Sequence, residues 1–200
     1  MAAFLKIALP AYFAAYVVFI FALPSLKVKK RINKSPYMFG KSESAHDYMS
    51  KVSAAATMLL LINLLLFSFA PQFYLYLNPF EYLELDILKY AGLLLLAVSF
   101  IWLLTAQRQM HNSWRMGIDK SMKTELVERG LFRYSRNPVF LGTFITILGF
   151  FLILPNAVSL LVAALTYFFI QVQARMEEEY LKNMHGEIYT VYCGKVRRWL

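Results

Sequence analysis

The sequence predicts an all-α, polytopic membrane protein of about five transmembrane helices. Three observations carry this prediction: an apolar composition, long uncharged runs, and a one-sided placement of the basic residues. Of the 200 residues, 59% are hydrophobic and only 16% charged, and the mean hydropathy is +0.49. Polar surface is then too scarce to coat a soluble globule. Long uncharged runs then argue for membrane spans of about 20 residues each.

The first span is read over residues 4–26, with Pro10 and Pro24 near its ends. Lys6 precedes the apolar run as in a signal peptide. However, the run is long, and Pro24-Ser-Leu-Lys-Val-Lys-Lys is a poor cleavage site and a good stop-transfer flank, so the span is expected to remain uncleaved. The second span covers residues 52–69, with Leu77 as its farthest extension. The third covers 83–106, uncharged from Tyr90 onward. The fourth (139–154) and fifth (157–174) are joined only by Pro155-Asn156. Both are short for a span, which points to a tight, slightly sunken hairpin. The whole of 1–200 reads as one membrane domain, with three spans in 1–106 and the chemistry-bearing part in 107–200.

Charge placement supports this order. Of 21 Lys and Arg, seven fall in 27–51, seven in 107–138 and five in 175–200. These are alternate connections in a five-span chain. The connection between spans two and three carries Glu81, Glu84 and Asp86 instead, and Pro155-Asn156 carries no charge. The positive-inside rule then puts the N-terminus outside, and the basic segments and C-terminus in the cytoplasm. The net charge of +9 is thereby topology, not a nucleic-acid surface, with anionic lipid headgroups as a secondary contact. Cys193 is a lone cysteine, and His46, His111 and His185 are scattered without helical ligand spacing, so neither a disulfide nor a metal centre is expected.

Three segments carry candidate chemistry. Residues 107–138 are too aromatic for a linker, and Trp114 and Arg115 suit the headgroup level. Thr124-Glu-Leu-Val reads as a short extended or helical piece ending at Gly130, where the backbone can turn freely. In Arg136-Asn137-Pro138, the proline suits the first turn of span four and the asparagine its N-cap. The positive end of that helix can hold a carboxylate or phosphate. Glu177-Glu178-Glu179 prolongs span five past the membrane, where negative charge at a helix C-terminus opposes the macrodipole. A carboxylate at Glu177, with Leu181 a turn later, could pair with a sulfonium or an ammonium.

These residues resemble a known pattern. Gly130-Leu-Phe132-Arg-Tyr-Ser-Arg136-Asn137-Pro138-Val-Phe140-Leu-Gly142 is similar to a Gly-x-Tyr-x-x-x-Arg-His-Pro-x-Tyr-x-Gly stretch. Glu177-Glu178-Glu-Tyr-Leu181-Lys-Asn-Met-His185-Gly186-Glu-Ile-Tyr189-Thr-Val-Tyr192 follows after a hairpin, and Asn112-Ser-Trp-Arg115 resembles bacterial members. Together they resemble the isoprenylcysteine carboxyl methyltransferases and the wider group with the phospholipid N-methyltransferases, over about residues 107–200.

The resemblance implies S-adenosylmethionine as methyl donor, held in a cytoplasm-facing pocket of the C-terminal half and capped by the C-terminal segment. By position it assigns Thr124, Glu125, Leu126 and Val127 to line the cofactor, with Phe132 against the adenosine. Asn137, Pro138, Val139 and Phe140 would hold it at the start of span four, and Glu177 would complete the pocket. Glu177, Arg136 and Arg175 are the candidate catalytic residues, with Arg133 a further candidate for orienting an anionic substrate. The partners expected are a lipophilic or lipidated substrate and membrane lipid.

The chain departs from the family pattern in places. Asn137 stands for its usual histidine and Phe140 for its usual tyrosine, and Gln173 stands where the eukaryotic prenyl-protein enzymes have an arginine associated with the substrate carboxylate. Asn137 can hydrogen-bond but cannot titrate, and methylating a carboxylate needs no base. The expectation is in-line methyl transfer to a membrane-embedded acceptor, foremost a carboxylate as in isoprenylcysteine. Phospholipid or amine N-methylation, a nicotinamide-dependent lipid or sterol reductase, and a non-enzymatic membrane scaffold are the alternatives.

Overall fold

The structure, a computed structural model, describes residues 1–32, 45–110 and 126–200. His111, the Asn112-Ser-Trp-Arg115 piece, Thr124 and Glu125 lie outside the described residues, as does the side chain of His46. Among the described residues all regular structure is helical, apart from a lone bridge between Pro79 and Asn156.

The N-terminal helix is continuous through α1 (Ala2–Tyr16), a π-helical stretch (Val17–Ala22) and α2 (Leu23–Ile32). Pro24 explains the widened turn. It has no N–H to offer the carbonyl of Ile20 four residues back. That carbonyl accepts instead from the buried side-chain amide of Gln107. One proline thus creates the acceptor by which this helix is tied to a neighbour 87 residues away.

The second span is α3 (Ala45–Phe69), and it does not extend to Leu77. Ala70 precedes Pro71, which disfavours helical geometry at the preceding residue, and it leaves the α region at φ −139°. A short α4 (Pro71–Tyr74) and two 3-10 turns follow. The third span, α5 (Asp86–Met110), begins after Leu83 because the 3-10 turn Glu81–Leu83 ends there; Asp86 in its first turn complements the helix dipole.

The hairpin comprises α6 (Pro138–Ile153) and α7 (Ala157–His185). Asn156 and Ser159 form a reciprocal capping box, with Ser159 N donating to Asn156 Oδ1 at 2.8 Å and Asn156 N to Ser159 Oγ at 3.1 Å. The Asn156 amide also donates to Asn63 Oδ1 at 3.0 Å and to the Tyr74 hydroxyl at 3.2 Å. Every polar contact of this buried turn is made inside protein, as a lipid surround requires.

Among the described residues four helices are long and apolar enough to cross a membrane: Ala2–Lys27, Tyr48–Phe69, Asp86–Met110 and Ala157–His185. The fifth apolar helix, α6, has 16 residues. The five-helix membrane architecture stands. The outward face of α5 exposes Ile87, Tyr90, Leu94, Val98 and Ile101 at helical spacing, an apolar stripe suited to lipid. Inward, Leu5, Leu60, Leu64, Leu96, Phe150 and Val162 join α1, α3, α5, α6 and α7 in one core.

Glycines let α5 and α6 approach closely. A Cβ on Gly92 would lie 2.7 Å from Gly149 O and 2.6 Å from Ile153 Cγ1. Thr146 Oγ1 donates to Ser99 Oγ at 2.9 Å across the same seam. Small residues with a polar bond are the membrane route to tight helix packing. Gly92→Val is therefore expected to destabilise the protein by about 1–3 kcal/mol, the range for overpacked cores. Thermal unfolding in detergent reads this, and an unchanged midpoint would show that the seam is looser than described.

Candidate active site

Helix α7 is longer than a bilayer requires. Its 29 residues span about 43 Å at 1.5 Å per residue, against a hydrocarbon core of about 30 Å. Residues 157–174 are uncharged, and the charged part from Arg175 to His185 projects beyond. Glu177–Glu179 are not at the helix end, as the sequence suggests. They lie two turns inside it, and Lys182 and His185 in the last turn complement the dipole. The glutamates thus need no dipole explanation.

Glu178 is the centre of the cluster. Arg198 grips it with both arms, Nε to Oε1 at 2.9 Å and Nη2 to Oε2 at 2.8 Å. Arg136 Nη2 and Asn137 Nδ2 also donate to Oε1, at 3.2 and 3.1 Å. Burial pushes the Glu178 carboxyl up, but the hydrogen bond and charge of Arg198 and the charge of Arg136 outweigh it, holding it below the usual carboxylate range. Four donors saturate this carboxylate.

The same residues stitch the C-terminal tail onto the loop before α6. Arg136 N donates to Arg197 O at 3.0 Å, and its Nη1 donates to Cys193 O at 3.1 Å and Val196 O at 3.2 Å. Ser135 Oγ donates to Arg198 O at 3.2 Å. The Tyr192 hydroxyl, its pKa pushed up to about 12 by burial, donates to Phe132 O at 2.6 Å. The tail reaches this loop because Gly186, at φ +58°, turns the chain from α7 into α8 (Glu187–Lys195).

Asn137 does occupy the N-cap of α6, with Pro138 in its first turn, but its side chain makes no capping bond. The amide turns to Glu178 and to Arg198 O because a charge-assisted bond outcompetes a neutral cap. Its own N–H is held by Ser135 Oγ at 3.2 Å.

Glu177 sits about 100° around the helix from Glu178. It is half-buried and makes no hydrogen bond or ion pair among the described residues. Burial first, and then the neighbouring Glu178, push its carboxyl up to about 7.

The remaining expected site residues fall into three settings. Phe132 and Pro138 are buried, with Pro138 O accepting from Trp102 Nε1 at 2.8 Å. Leu126, Val127, Val139 and Phe140 are half-buried, and Phe140 packs edge-on to Phe169. Arg133 and Arg175 are exposed, and Arg175 Nη1 is engaged by its own helix through Gln171 O and Oε1. Arg175 also lines an open cleft of about 300 Å³ with Glu179, Lys182, Tyr189, Cys193 and Arg198, on the α8 side of Glu178. Gln173, at the position of the family's arginine, is buried in α7.

Arg198, Ser135 and Tyr192 were not singled out as site residues from sequence. Arg197-Arg198 reads as two more positive-inside charges, and no local pattern marks one as the partner of a glutamate 20 residues earlier.

The fold defines a class: helical integral membrane proteins whose last hairpin continues into a charged, hydrogen-bonded cluster with the C-terminal tail. A family model described as phospholipid methyltransferase matches residues 88–188, just over half of the chain. The chain belongs to the phospholipid methyltransferase family, integral membrane methyltransferases related to the isoprenylcysteine carboxyl methyltransferases. A search of curated proteins found no match.

Proposed function

We propose that the protein transfers a methyl group from S-adenosylmethionine to a lipophilic acceptor embedded in the bilayer. One observation carries the choice of cofactor: Glu177 is a half-buried carboxylate with no hydrogen-bond or ion-pair partner among the described residues, beside a saturated one. A cationic ligand fits that vacancy in pairing. S-adenosylmethionine supplies an electrophilic methyl on a sulfonium and carries an ammonium as well.

In this reading Glu177 holds a positive group of the cofactor. The start of α6 (Asn137, Pro138, Val139, Phe140) receives its carboxylate end, and Leu126, Val127 and Phe132 line the adenosine together with Thr124 and Glu125. Arg136 acts by positioning, since its guanidinium is committed to Glu178 and the tail. Arg175, at the membrane edge of α7, orients an anionic acceptor. Bound there, S-adenosylmethionine would supply the methyl group and leave as S-adenosylhomocysteine, and an ionised carboxylate acceptor would require no base from the protein. Alignment of the two reactants and exclusion of water supply the rate. Basic segments placed by the positive-inside rule put this site at the cytoplasmic face, with the N-terminus outside.

A carboxylate acceptor, as in isoprenylcysteine, is the first reading. A phospholipid amine is the second, and membership of the family is compatible with either. The family match favours methyl transfer over a nicotinamide-dependent reductase or a scaffold. Purified protein incubated with methyl-labelled S-adenosylmethionine and a membrane lipid extract tests all of this. Label in a base-labile product indicates an ester, and label in a stable product indicates N-methylation. Absence of labelled lipid, with binding of NADPH instead, would defeat the proposal.

A further inference from the structure

We infer that Gln109, one residue before the end of α5, is a positioning residue that fixes the loop carrying Phe132, Arg136 and Asn137. Its side-chain carbonyl accepts the Leu131 N–H at 2.7 Å, a contact between residues 22 apart in the chain. Gly130 makes the approach possible in two ways. Its φ of +63° is one that side chains rarely adopt, and a Cβ there would lie 2.2 Å from Gln109 Cδ and Nε2. The glycine therefore serves the glutamine, not only the turn.

The loop needs such an anchor. Among its described residues the regular element is the four-residue 3-10 turn Gly130–Arg133, too short to hold itself. From the Gln109 contact a run of bonds leads to the site. Leu131 O accepts Tyr134 N at 3.0 Å and Ser135 N at 3.1 Å, and Ser135 Oγ accepts Asn137 N at 3.2 Å. The anchor itself is rigid. Two residues earlier Gln107 grips Ile20 O on the opposite side of α5, and the glycine seam locks α5 against α6. The inference rests on the reading that residues 130–140 border the cofactor.

The test uses full-length protein in lipid nanodiscs as wild type, Gln109→Leu, Gln109→Glu and Gln107→Leu. Amide exchange over 129–136 is measured alongside kcat and KM for S-adenosylmethionine. Gln109→Leu keeps volume but removes the acceptor. It should speed exchange on the order of tenfold, the scale of one lost hydrogen bond, and raise KM similarly while kcat changes little. Gln109→Glu retains the acceptor and should restore both. Gln107→Leu should loosen residues 17–24 and leave 129–136 as in wild type.

An unprotected Leu131 amide in the wild-type protein overturns the inference, even where Gln109→Leu fails to insert. So does Gln109→Glu behaving like Gln109→Leu, or Gln107→Leu loosening 129–136 equally, which would reduce the effect to general weakening of α5. The expected exchange pattern in a protein that transfers no methyl group upholds the anchor and overturns the functional reading instead.

Discussion

Glu178→Ala is expected to release the C-terminal tail and to destabilise the protein by about 2–3 kcal/mol. The substitution strips two arginines and an asparagine of one shared acceptor, at side chains only 12% and 13% exposed for Arg136 and Glu178. Losing the partner of a part-buried charge is worse than losing the whole pair. Arg198→Ala should do less, because Arg136 and Asn137 still satisfy the carboxylate. Limited proteolysis within 192–200 and thermal unfolding in detergent read both variants. Equal protease resistance in wild type and Glu178→Ala would mean that the tail is held by its backbone bonds alone.

The pH dependence of this cluster follows from the lowered carboxyl. Glu178 contributes stability that is fully present above the ordinary carboxylate value of 4.5 and is lost as pH falls through its lowered value. The tail should therefore stay fixed at neutral pH and loosen only in strong acid.

Glu177→Gln is expected to weaken S-adenosylmethionine binding by about ten- to a hundredfold, the range of a lost hydrogen bond to a charged group. The protein should still insert, because no other described side chain depends on Glu177. The sign of its stability effect is opposite to that of Glu178. A carboxyl raised to about 7 opposes folding increasingly as pH climbs from 4.5 to that value, and the penalty is constant above it. Glu177→Gln should thus match or exceed wild-type stability at pH 8.

Binding supplies a second signature. Protons compete with a cationic ligand for Glu177, so wild-type affinity should fall as pH drops below about 7, while the Gln variant stays flat. Calorimetry with S-adenosylmethionine and S-adenosylhomocysteine separates two geometries. Equal losses for both ligands place Glu177 against the ammonium, and a loss confined to the sulfonium compound places it at the reacting centre. An unaltered affinity in Glu177→Gln across that pH range would take Glu177 out of the pocket.

Much of the fold was legible in the residues because a bilayer leaves few solutions. Uncharged runs must be helices, and basic residues must gather at their ends. The boundaries that differed have local causes. Pro71 stops α3 at Phe69, and the turn closing at Leu83 delays α5 to Asp86. The site was legible in part. Asn137 stands at the N-cap as its neighbour Pro138 implies, yet its side chain answers a carboxylate 41 residues away. Arg198 and Gln109 escaped notice because nothing within a helical turn of either reveals a distant partner.

The sequence by itself determined that this is a helical membrane protein, where its apolar helices run, and which segments resemble the methyltransferase pattern. By resemblance it singled out Glu177, but it gave no hint that Glu178, identical in chemistry and adjacent in the chain, is the one gripped by four donors. Only the tertiary structure showed that. Two successive helical residues point about 100° apart. One direction meets Arg136, Asn137 and the returning tail with Arg198, and the other meets no described partner. Pairing is decided by direction in space, and direction is set by how α6, α7 and α8 come together.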